Sequence, residues 1–145
     1  MIVMNCIDEL IRYENENSSL DFKVVQYTKD KHEDLIKDIL SMANANVEGE
    51  KYIIVGVKHK TSNDRDIIGI KKEDFSDSAT YQQLIRENIE PDILIEYSPY
   101  EIDGKYVGIF RIKEANNKPY MMKKDFGKKL KKGDCFIRKG VFKLR

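Results

Sequence analysis

The stretch ENSSLDFK, Glu16 to Lys23, sets two carboxylates five residues apart and a lysine two residues beyond the second. On an extended strand Asp21 and Lys23 fall on one side, roughly 6–7 Å apart, with Leu20 and Phe22 on the other. An acid followed by a lysine at this spacing is half of a pattern used by many metal-dependent nucleases. The acid holds a cation, and the lysine orients water or steadies a charged phosphate. Glu16, Asp21 and Lys23 are therefore candidate catalytic residues, with Glu16 and Asp21 as metal ligands. The same residues also suit an exposed ion pair at a sheet edge, contributing about 0–1 kcal/mol, or the floor of a binding face where Lys23 meets a phosphate. For so short a motif, the ion pair or the binding role is the better reading than catalysis.

A second cluster follows Tyr120. Lys123, Lys124, Lys128, Lys129, Lys131, Lys132, Arg138 and Lys139 place eight cations within 17 residues, interleaved with Phe126 and Phe136. Lysines do protect sheet edges from pairing, but eight exceed that need. Phosphate contacts require mobile cations on an exposed loop, and Gly127 and Gly133 allow such a loop to project from a hairpin. Neighbouring phenylalanines suit stacking on unpaired bases. Together with Lys23, this tail is the predicted nucleic-acid-binding surface. His59, in KHK after an apolar run, stands where strand ends often line a site. His32 is expected in solvent, in the first turn of a helix. A phosphate loop of the G-x-x-x-x-G-K-[ST] type does not occur, so ATP binding finds no support.

The elements that position these residues can be read from periodicity. Asn5 caps a short helix carrying Ile7, Leu10 and Ile11 and reaching about Tyr13. Leu20 to Val25 alternates as a strand. Asp30 and Glu33 resemble a capping box ahead of a helix whose apolar stripe is Leu35, Ile36, Ile39, Leu40 and Ala43. YIIVGV, Tyr52 to Val57, is a β-branched run expected to form a central strand buried on both faces. A polar loop at TSNDRD then leads to a short strand IIGI, Ile67 to Ile70. Ser78 caps a third helix with Tyr81, Leu84, Ile85 and Ile89, ended by Pro91. ILIEYSPYEI and KYVGIFRI flank Asp103-Gly104, a strong hairpin signal. Strands are expected at about PYMMK and CFIRK. The order predicts an α+β (mixed α/β) domain over residues 1–145, with about three helices on a mixed sheet and a C-terminal antiparallel hairpin region.

The formal net charge of +1 conceals a division along the chain. Residues 1–104 hold 12 Lys and Arg against 22 Asp and Glu, net −10, and residues 105–145 hold 14 against 3, net +11. Such segregation marks either a nucleic-acid face or two halves that neutralise each other in the fold. Cys6 and Cys135 lack any metal-ligand spacing and are expected to be reduced and packed. The N-terminal residues do not read as a signal peptide, and no run approaches a membrane span, so a cytoplasmic address without membrane contact is expected.

LDFK, a helix ending ILSMANA, YIIVGV, IIGI, a helix ending IEP before a hairpin, then PY and FIRKG occur in that order. This succession resembles the Schlafen-type, AlbA-like DNA-binding domain family from about Glu16 to Gly140. Asp21, Phe22 and Lys23 match the family's acid-Phe-Lys strand, and Ala43, Asn44 and Gly49 its helix end and glycine turn. Resemblance to the nuclease members implies Glu16 and Asp21 as ligands of Mg²⁺ or Mn²⁺, the third acid falling at His59 in VKHK. Imidazole suits transition metals, whereas hard Mg²⁺ prefers oxygen. At most trace cleavage with Mg²⁺ is therefore expected. Many relatives continue into further domains beyond the FIRKG-like strand, so the chain is expected to be a stand-alone module or a piece of a longer protein.

The leading expectation is a module that binds DNA or RNA by its phosphate backbone through the basic C-terminal hairpin, with no cofactor. One alternative is a Schlafen-type metal-dependent endoribonuclease or endonuclease using Glu16 and Asp21. Another is a protein-interaction subunit of a defence or regulatory system, with a protein partner or a second copy of itself.

Overall fold

The structure is a computed structural model that describes residues 4–61, 64–113, 115–139 and 142–144. In chain order, α1 (Met4–Tyr13) precedes β1 (Leu20–Lys23), and a single 3-10 turn leads into α2 (His32–Ala43). Then come β2 (Lys51–Val55), β3 (Val57–Thr61), β4 (Asp64–Ile67) and α3 (Ser78–Asn88). β5 (Ile89–Glu90), β6 (Ile95–Ile102), β7 (Lys105–Ile112), β8 (Met121–Met122), β9 (Ile137–Lys139) and β10 (Phe142–Leu144) complete the chain. This is the expected α+β fold with three helices and a mixed sheet.

The main sheet runs β1-β2-β7-β6, with β1 parallel to β2 and the other pairs antiparallel. The parallel pair requires a crossover, which α2 supplies. The β6–β7 hairpin closes at Asp103 and Gly104 with φ of 52° and 73°, the left-handed pair that a two-residue loop demands. Strand alternation sorts the apolar side chains into two cores. Ile53 and Val55 face α2, α3 and the tail, together with Phe110, Tyr97 and Leu40. Ile54, Leu20, Phe22 and Ile109 face the opposite way, onto Ile11 of α1 and Val57. Ser78 and Gln82 of α3 accept hydrogen bonds from the N–H groups of Tyr97 and Ile95, occupying donors on the outer edge of β6. No helix among the described residues is long and apolar enough to cross a membrane.

Several local expectations are corrected. α1 begins at Met4, so Asn5 lies within it. β1 stops at Lys23, leaving Val24 and Val25 exposed. The polar stretch after the central strand is itself a β3–β4 hairpin, and only Ile67 of IIGI belongs to a strand. Neither Asp30 nor Glu33 caps α2: Asp30 bonds Thr28, and Glu33 reaches the tail. Asp77 caps α3 instead of Ser78, whose hydroxyl is committed to β6. In the tail, β8 pairs with β5 and β9 with β10. Met122 still exchanges backbone hydrogen bonds with Gly133 and Asp134, and Phe126 with Leu130, closing an irregular hairpin.

Candidate functional site

The acids of ENSSLDFK are not at an exposed edge. Asp21 is 4% exposed, with Arg138 of β9 and, through Lys23, Asp38 of α2 set against it. The Lys23 ammonium lies 3.5 Å from both Asp21 Oδ2 and Asp38 Oδ2. Arg138 Nη2 approaches Asp21 Oδ1 at 3.4 Å, and the Tyr27 hydroxyl donates to Asp38 Oδ2 at 2.6 Å. Glu16 Oε2 accepts from the Phe22 N–H at 3.0 Å. Asp38 and Arg138 are each 2% exposed. Arg138, counted from sequence among the phosphate-binding cations, is thus a buried counter-ion. Asp38 escaped the sequence reading; the available signal was a charged residue within the Leu35–Ile39–Met42 stripe of α2.

This environment separates the two acids of the motif. Burial, then the hydrogen bond with Asp21, pushes Glu16 up to about 7. Burial would also raise Asp21, but the hydrogen bond from Glu16 and the charges of Lys23 and Arg138 outweigh it and bring Asp21 to about 2. Below about pH 7 Glu16 therefore keeps a proton and donates it toward the Asp21 carboxylate. Because the folded value of Glu16 exceeds its ordinary 4.5, its contribution to stability is full below that pH and is lost as pH rises through about 7. Asp21 works in reverse, losing its contribution only as pH falls toward 2. Between about pH 5 and pH 8, urea midpoints of the native chain should fall relative to those of Glu16→Gln. Parallel pH profiles for the two proteins would refute the shared proton.

The donor set does not fit the divalent ion implied by the resemblance. His59, at the third-ligand position, belongs to the opposite face: its ring centroid lies 5.2 Å from that of Phe22, and its Nε2 lies 3.3 Å from Asn15 Oδ1. Among the described residues, no three His, Cys, Asp or Glu side chains converge as a metal centre requires. The Lys23 ammonium already stands between Asp21 and Asp38, where it serves as their cation. His32, expected in solvent, is half-buried with its ring edge-on to Tyr81.

The tail presents the opposite situation. Lys123, Lys124, Lys128, Lys129, Lys131 and Lys132 are all exposed. The Lys123 ammonium donates to the Arg86 carbonyl at 2.9 Å. The other five make no ion pair within 4.0 Å among the described residues. Nearby acids hold the backbone instead: Glu33 accepts from Lys129 N at 2.7 Å, Asp125 from Lys132 N at 2.8 Å and Asp134 from Lys131 N at 2.9 Å. Gly127, with φ of 63°, permits this clamp, since a Cβ there would run into the Glu33 carboxyl. The phenylalanines are not stacking platforms. Phe136 is 2% exposed beneath the Lys37 ammonium, and Phe126 is half-buried against the core. Cys135 is a half-exposed free thiol. The side chains of Cys6 and Lys139 lie outside the described residues.

Asn44 ties the tail to α2. Its Nδ2 donates to the carbonyls of Tyr120 and Phe136 at 2.8 and 2.9 Å, and its Oδ1 accepts from Tyr120 N at 2.7 Å. The helix end, the PY pair and the start of FIRKG are thus one hydrogen-bonded unit, although they lie far apart in sequence.

A solved structure has the same fold: the N-terminal domain of a Nitrosomonas europaea protein described as a "Putative ATP-dependent DNA Helicase RecG-related Protein". The likeness has a TM-score of 0.52 at 16% identity and covers 88% of this chain and 86% of that one. No curated protein matches the chain. A family profile described as Schlafen, AlbA_2 matches residues 16–143, which include the acid-Phe-Lys strand, the Asn44 unit and the lysine loop, and the chain belongs to that family.

Proposed function

We propose that the chain binds nucleic acid through its phosphate backbone, using the exposed lysines of the tail. The observation that carries this reading is the contrast between the two charge clusters. Asp21, Asp38, Lys23 and Arg138 compensate one another internally, whereas Lys124, Lys128, Lys129, Lys131 and Lys132 keep their charge for a partner. Their loop is held by side-chain-to-backbone bonds, so the ammonium groups are presented from a fixed frame without surrendering charge. The helicase-related description of the structural neighbour agrees with this reading.

The test is a titration of labelled single- and double-stranded DNA and RNA at several salt concentrations, with and without Mg²⁺ or Mn²⁺. Binding should need no metal and weaken steeply with salt, and Mg²⁺ should give at most trace cleavage. Failure to bind any of these at low salt would leave an acidic protein as the partner. Robust cutting that Asp21→Asn abolishes, in a variant that remains folded, would establish the nuclease reading instead.

A further inference from the structure

A cavity of about 430 Å³ opens between the end of β1 and the first turns of α2. Its volume lies within the range of sites that enclose a small organic ligand. One wall is apolar: Val24 and Val25 are 43% and 66% exposed, adjacent residues that the end of β1 leaves uncovered. Lys31 and Lys37 also line it, with Asp34 between them on α2. At the inner end stands Lys23, already engaged by Asp21 and Asp38.

The cavity and the lysine loop flank the same stretch of helix. Glu33 accepts from Lys129 N on the tail side, while its neighbour Asp34 lines the cavity. Lys37 lines the cavity too, and its ammonium lies 5.0 Å over the ring of Phe136 in the tail. A phosphate backbone lying on the loop lysines and crossing the start of α2 therefore arrives at a site with an apolar wall, three lysines and two carboxylates, of which Lys23 and Asp38 are already paired with each other. Phe136 is buried and Phe126 half-buried against the core, whereas Val24 and Val25 line the cavity as exposed apolar surface.

We propose that this cavity receives one unpaired nucleobase, so that the chain prefers nucleic acid with a single-stranded segment over a fully paired duplex. The inference rests on the nucleic-acid reading above. The base packs against Val24 and Val25, an exocyclic amine donates to the Asp34 carboxylate, and Lys31 and Lys37 meet the flanking phosphates. A paired and stacked base cannot present its face and edge in this way.

The experiment compares a blunt DNA duplex with the same duplex carrying a short single-stranded overhang, using the full chain, Val25→Asp, and the Lys128/Lys129/Lys131/Lys132→Ala variant. The expected preference of the native chain for the overhang is on the order of tenfold, as for one base held against a side-chain platform. Val25→Asp should collapse that ratio toward one, because a carboxylate in the wall must be desolvated when the base enters. Its charge acts on both ligands and cancels in the ratio. The lysine variant should weaken both ligands and keep the ratio. Equal affinities for the two ligands in the native chain, or an unchanged ratio in Val25→Asp, would overturn the base site while leaving phosphate binding in place. Absence of binding to either ligand, and to the same pair made in RNA, would overturn both.

Discussion

Replacement of Lys128, Lys129, Lys131 and Lys132 by alanine should weaken binding of every nucleic-acid sequence to a similar degree and flatten its salt dependence. Each phosphate neutralised releases condensed counter-ions, so each lost contact on duplex DNA removes up to about 0.9 from the slope of log affinity against log salt, or about 3.6 for all four. The fold should tolerate the change. These side chains are exposed, and the clamps on Lys129, Lys131 and Lys132 use backbone N–H groups that alanine retains. Fluorescence anisotropy across a salt series, with thermal melting as the control, measures both effects. An unaltered slope in a folded variant would remove the tail from the binding surface.

Arg138→Met should have the largest effect on stability. The substitution removes a guanidinium from a carboxylate that is 4% exposed, leaving Asp21 with the Lys23 ammonium, which it shares with Asp38. Breaking a buried pair from one side costs about 3–5 kcal/mol, mostly the penalty of a buried charge short of its partner. The double variant Asp21→Asn/Arg138→Met should recover part of that loss, since it removes both charges together. Urea unfolding decides the matter, and a single variant within about 1 kcal/mol of the native chain would show that the pair is not essential. The same burial changes the outlook for Asp21→Ala. On an exposed floor that change would leave binding intact or improve it slightly, whereas here it removes a buried carboxylate that pairs with both Lys23 and Arg138 and lowers stability.

What could be read in advance was what neighbouring residues decide between themselves. Asp103-Gly104 announces its hairpin because both residues accept the positive φ the loop imposes. YIIV and the stripe of α2 declare their periods within a few residues. Failures arose where a distant partner outbid the local one. Glu33 has the spacing of a capping residue, but it accepts instead from Lys129 N, 96 positions away. Ser78 is a plausible cap that β6 takes instead. Arg138 and Phe136 sit in a basic, aromatic stretch that reads as a binding surface, yet one is a counter-ion and the other core. The strand Asp64–Ile67 was illegible for another reason: it is not deeply buried on either face, so selection for an alternating pattern is weak.

The separation of 117 positions between Asp21 and Arg138 bears on the order in which the molecule assembles. A nascent chain that has emerged only as far as β7 already holds β1, α2 and the four strands of the main sheet. Asp21 then lacks its guanidinium, and the Asn44 amide lacks Tyr120 and Phe136. Closure of so long a loop is among the slower events of folding, because its entropy is lost before the contact forms. The segment that closes it is the strongly basic one, drawn toward an acidic body. Added salt screens that attraction and should slow the docking step. The lysine loop thus has two electrostatic partners in succession, the protein's own acidic portion while the fold is being completed and a polyanion once it is.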